Sequence, residues 1–210
     1  LDVALGLHVH VDGTRISAPM LQNILCCYVA FEPLVEEFVG APFRGDQKWY
    51  KSNRISVMGS GTLAAAFQRI RACDSMACVQ AVGNPPRAVQ GSHDRAHTLR
   101  RYHKLNILIN DTHRHGRKTV EFRQYGPSKD PQEVQAWIAF CVAFVARASA
   151  LRCDDFPAFG FEELFSRVIR DEALRGWFRG ARERFAEPRV RFLPGNGPAE
   201  PSRCDPFRRW

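Results

Sequence analysis

Hydrophobic and polar residues alternate through GLHVHVDG, residues 6–13. Successive side chains of a strand point to opposite faces. Leu7, Val9 and Val11 are therefore expected on a buried face, with His8, His10 and Asp12 on the other. An Asp12-Gly13 turn ends the strand. The period then changes to that of a helix, with Leu21, Ile24, Leu25, Tyr28 and Val29 forming an apolar stripe. Ser17 is placed to cap it, and Pro19 falls in the first turn, where its missing N–H costs little. Pro33 is expected to kink or end this helix, and Gly40 marks a stop.

Residues 41–54, APFRGDQKWYKSNR, read as a polar loop. A helix is expected from Thr62 through Ile70 and a short one over 75–82. Two β segments follow the loop VGNPPRAVQGSHD. Residues 102–110 alternate Leu105, Ile107 and Ile109 with polar neighbours, and residues 118–125 alternate Val120 and Phe122 with Glu121 and Arg123. The turn DTHRHGR between them predicts a hairpin. The spacing next predicts a helix over 130–148, with Asp130 and Glu133 as a capping box and Pro131 at its first position. Its buried face is expected to carry Val134, Trp137, Ile138, Cys141 and Val145. Amphipathic pieces over 161–170 and 172–186 complete the ordered chain. The Pro-rich tail 187–210 is expected to be disordered.

This is an α+β pattern: a curved antiparallel sheet backed by helices. A first unit is expected over 1–150, followed by a helical extension over 151–186. At 210 residues and 45% hydrophobic, the chain can bury a real core. No signal peptide and no membrane-length apolar run is evident, so no membrane partner is expected. The cysteines are seven in number, with Cys26 and Cys27 adjacent. That is no disulfide framework, and it favours a reducing, cytoplasmic setting. No CxxC pair points to zinc, and Cys73 and Cys78 are expected on helical segments.

The net charge of +8 is uneven, with 14 Lys/Arg against 4 Asp/Glu in residues 41–118. No aromatic-basic repeat accompanies it, which disfavours nucleic acid; a pocket for a nucleoside triphosphate fits as well. On the first strand His8, His10 and Asp12 converge within roughly 7 Å. Alone, such an HxH strand reads more readily as imidazoles bonded to their neighbours. Glu121 and Arg123 repeat the two-residue spacing, which suits a hard cation and a bidentate anion contact or, more blandly, a cross-strand ion pair. His113 and His115, in a charged turn, read as solvated.

GLHVHVDG, RYHKLNI and KTVEFRQYGPSKDPQEVQAWIAF together resemble the fungal-type amidoligase family, within the glutamine-synthetase-like carboxylate–amine ligases. The resemblance covers roughly residues 1–150. It implies a glutamine-synthetase-like catalytic domain that uses ATP and Mg2+ to join a carboxylate and an amine through an acyl phosphate. By that similarity His8 and Glu121 are expected to bind magnesium, and His10 to lie near the nucleotide or phosphate. Arg123 is expected on the substrate carboxylate or the transferred phosphoryl group, and Arg44 is a looser match to a phosphate-binding arginine. The superfamily carries an E-x-E strand near the domain start, whereas this sequence opens just ahead of the HxH strand. The chain is therefore expected to be a fragment of an active ligase or an inactive, ligase-derived binding or scaffold domain. Metal-dependent hydrolase barrels also open with HxH, but they need more length and further His/Asp strand ends.

Overall fold

The computed structural model describes residues 6–39, 50–85, 102–109 and 118–186. Its centre is a three-stranded antiparallel sheet in the order β1-β3-β2, with β1 at Leu7–Asp12, β2 at Leu105–Asn106 and β3 at Thr119–Tyr125. Helices make up most of the rest, so the fold is α+β. Val9 and Leu105 both lie opposite Phe122, which gives the sheet an apolar face. Phe122 meets Tyr28, Trp137 and Phe144 edge to face. A register shift between Leu7 and Val9 interrupts the β1–β3 ladder.

The first helix, α1 (Ala18–Glu36), is capped as expected, Ser17 accepting from the Met20 N–H with Pro19 in the first turn. It is buried nearly all round rather than along a stripe, from Leu21 through Val35 with few breaks. A helix that is apolar on every side must be covered on every side. By length and composition α1 could cross a membrane, with a mean hydropathy of 1.3, yet 67% of that span lies inside the fold.

Pro33 does not end α1; the helix runs through it to Glu36. A proline at position 33 cannot donate to the carbonyl four residues back, here Val29. The Arg54 guanidinium supplies that bond at 2.9 Å and reaches Ala30 O at 3.3 Å. Arg54 stands on α2 (Asn53–Met58), a helix whose first two residues fall in the stretch expected to be a polar loop. Ser52 caps it, accepting from Ile55 N at 2.9 Å.

Next come α3 (Leu63–Arg71), capped by Thr62, and α4 (Met76–Gly83), capped by Ser75, both where the sequence places them. Cys78 is on α4, but Cys73 sits just after α3 ends. β2 is much shorter than the alternation over 102–110 predicts. Two asparagines take over its outer edge: Asn53 exchanges bonds with the Leu105 N–H and C=O, and Asn84 bonds Leu105 O and Ile107 N. With its edge groups satisfied by side chains, the strand needs no further ladder.

The long helix α5 (Pro131–Ala148) is capped by Asp130, which accepts from Gln132 N. Glu133 does not close a capping box. It accepts instead from the Tyr125 hydroxyl at 2.6 Å and from Ser128. The buried face is also rotated from the expected one. Trp137, Cys141 and Val145 are buried together with Phe140 and Phe144, while Ile138 is 41% exposed. The rotation follows from the C-terminal helices. These are α6 (Phe161–Glu163), continued by π-helical turns over Leu164–Ile169, and α7 (Glu172–Ala186). They bring Phe165 and Phe178 against Phe140 and Phe38. Gly40, Arg44, His113, His115 and the tail from residue 187 lie outside the described residues.

Candidate functional site

Antiparallel pairing sets the site. His10 faces Glu121 across β1–β3, and Asn106 faces Glu121 from β2, so one row of polar side chains crosses all three strands on the face opposite Phe122. His8 joins it from further along β1. Glu121 Oε1 accepts from Arg123 at 2.5 Å and His8 Nδ1 at 3.1 Å, with His10 Nε2 3.6 Å away. Its Oε2 accepts from Asn106 Nδ2 at 2.9 Å. His10 Nδ1 lies 2.9 Å from the Thr119 hydroxyl oxygen.

The Arg123 guanidinium lies over the Tyr102 ring, 5.3 Å from its centroid, and its backbone N–H donates to Lys104 O at 2.8 Å. Glu121 and Arg123 are nearly sealed from solvent, with side chains 8% and 7% exposed. The two imidazoles are half-buried and form the open side. Burial alone would raise the Glu121 pKa. The His8 hydrogen bond, the Arg123 charge, the Asn106 bond and His10 outweigh it and pull the carboxyl down to about 2. Glu121 is thus a fixed negative charge at neutral pH.

Four of the residues singled out in the sequence therefore meet at one point: His8, His10, Glu121 and Arg123. Asp12 does not join them. It accepts from the Thr14 N–H and hydroxyl at 3.0 and 2.9 Å and closes the turn after β1. Sequence reasoning missed Asn106 and Tyr102, although both lie in RYHKLNI; only the strand register shows that Asn106 reaches the carboxylate.

The donor set is a poor match for magnesium, which wants octahedral oxygen ligands. Among the described residues the site has one carboxylate, both its oxygens already accept from N–H groups, and a guanidinium lies against it. Among the described residues no group of three or more His, Cys, Asp or Glu is arranged to hold a metal ion.

A family model described as "Putative amidoligase enzyme" matches residues 1–145. The chain belongs to the amidoligase family. The match takes in every residue of the β1–β3–β2 site and ends within α5, so membership and the polar row coincide along the chain. It supports a ligase-type function. No curated protein and no solved structure matches the chain.

Proposed function

We propose that this amidoligase is an ATP-dependent carboxylate–amine ligase working through an acyl phosphate. The observation that carries this reading is the convergence of His8, His10 and Arg123 on the Glu121 carboxylate within the family-matched region. A substrate carboxylate attacks the γ-phosphate, ADP leaves, and an amine displaces phosphate from the acyl carbon. Such chemistry rests mainly on positioning and charge neutralisation. Arg123 is suited to both. Its planar fork binds pairs of oxygens, which lysine cannot copy, and Glu121 with the Tyr102 ring holds it in place. The basic stretch over 41–118 attracts the nucleotide. No step is assigned to magnesium on these residues.

The test is coupled phosphate release from ATP across a panel of carboxylic acids and amines. Release is expected only with both partners present. Arg123→Lys is expected to lose on the order of 10²–10³ in rate, the usual cost of removing a group that stabilises such charge, with an unchanged circular dichroism spectrum. Wild-type turnover by Arg123→Lys, or release that ignores the amine, would sink the reading.

A further inference from the structure

We propose that His8 accepts the proton of the attacking amine through Nε2, and that Glu121 is the positioning residue that aims it, in place of the two being ligands of a metal ion. The inference rests on the ligase reading above, and three observations carry it.

The first is hydrogen-bond chemistry. An ionised carboxylate only accepts, so the His8 nitrogen 3.1 Å from Glu121 Oε1 must carry the hydrogen. In a neutral imidazole the other nitrogen, Nε2, is then left with its lone pair. Glu121 thereby selects the tautomer of His8. The second is access. Among the described residues none hydrogen-bonds to His8 Nε2, and the ring is half-exposed. Gly6 keeps the approach open: a Cβ there would stand 3.3 Å from His8 Nε2 and 3.2 Å from Tyr125 O. The third is saturation of Glu121. Arg123 and Asn106 already occupy its two oxygens, so a cation would have to displace charged and neutral donors together. His10 differs from His8 because Nδ1 faces Thr119 and Nε2 faces Glu121, so both its nitrogens are turned toward the protein.

The step balances as follows. The amine lone pair forms the C–N bond to the acyl carbon. The C–O bond to phosphate breaks, and phosphate leaves with the bonding electrons. The proton shed by the amine nitrogen passes to His8 Nε2. The resulting imidazolium lies against Glu121 until it returns the proton to the departing phosphate or to water.

The test begins with long-range 1H–15N correlation spectra of the full chain at neutral pH, without substrate. His8 is expected to show its hydrogen on Nδ1, and that preference is expected to weaken in Glu121→Gln. Mn2+ alone, added at equimolar concentration, is expected to leave the His8 resonances sharp. A second arm uses turnover. His8→Ala is expected to lose about 10²-fold or more in amine-dependent phosphate release, with added imidazole restoring part of it; the Arg123→Lys variant is expected to gain nothing from imidazole. A hydrogen on Nε2, broadening of His8 by Mn2+, or a His8→Ala enzyme indifferent to imidazole would overturn the proposal. Failure of the ligase reading is distinguishable, because wild type itself would then show no amine-dependent release.

Discussion

Two charged clusters flank the sheet, and they are built in opposite ways. Around Glu121 one carboxylate faces four N–H-bearing side chains, and half-exposed imidazoles leave the cluster open on one side. Around Lys104 one ammonium faces two carboxylates. Its Nζ is fully buried and pairs with Glu32 at 3.1 Å and with Glu36. Glu32 also takes the Arg54 backbone N–H at 2.8 Å. The first cluster sets four donor side chains against one carboxylate and has a route to solvent, while the second is closed around its charge. Charge density alone therefore does not distinguish the two: one cluster is open to solvent, and the sealed one ties α1 and α2 to the β2 segment. A backbone hydrogen bond joins the two, from Arg123 N to Lys104 O.

The harshest way to break this comparison is to remove the sealed cation. Lys104→Met leaves Glu32 buried without its partner, and such a loss costs roughly 3–5 kcal/mol. Urea unfolding of the variant would measure it. A cost below about 1 kcal/mol would mean that water reaches Glu32 and the closed cluster is not closed.

Acid should undo the open cluster. The Glu121 carboxyl titrates near 2 when folded, against 4.5 for an unperturbed group. Its contribution is therefore complete above pH 4.5 and is lost as pH falls toward 2. That contribution is on the order of 3 kcal/mol, since one pKa unit is about 1.4 kcal/mol. Stability curves of wild type and Glu121→Gln between pH 2 and 5 should converge in acid and separate above it. Parallel curves would show that His8, His10, Arg123 and Asn106 do not hold the carboxyl ionised.

Smaller changes sharpen the contrast. Arg54→Ala removes the donor to Val29 O while sparing the backbone bond to Glu32, and a buried carbonyl left unpaired costs about 1–3 kcal/mol. Thermal unfolding reads this directly. Asn106→Ala is the mildest, at about 1 kcal/mol. It leaves Glu121 Oε2 without its amide donor, so the carboxyl should titrate at higher pH, as carbon-detected NMR of the side chain would register. No upward movement would place solvent, not Asn106, at that oxygen.

These same residues show what the chain's pattern could and could not reveal. His8 with His10, and Glu121 with Arg123, were legible because a two-residue period puts each pair on one face of its strand. That the two faces coincide depends on register, which is a pairing between distant segments. Asn106 was invisible for that reason. The caps at Ser17 and Asp130 are local chemistry and were read correctly, as were the helix starts near Thr62 and Ser75. Glu133 and Ile138 were misread because each answers to a partner outside its own helix: the Tyr125 hydroxyl on β3 and the packing of the C-terminal helices. β2 was overestimated for the same reason, since Asn53 and Asn84 imitate a neighbouring strand. Arg44 lies outside the described residues.

The proline in α1 has one more consequence. A helix with a gap in its own ladder borrows a donor from α2, and α2, at six residues, is too short to persist in isolation. Neither is a complete folding unit. Opening α2 strips Val29 of its bond, and fraying α1 removes the carbonyls that hold Arg54, so the two should detach and re-form together as one cooperative segment. Glu32 receives the Arg54 N–H in that same segment and also pairs with Lys104, whose carbonyl holds Arg123. Local breathing there would reach the site through the backbone, without any movement of the imidazoles that line it.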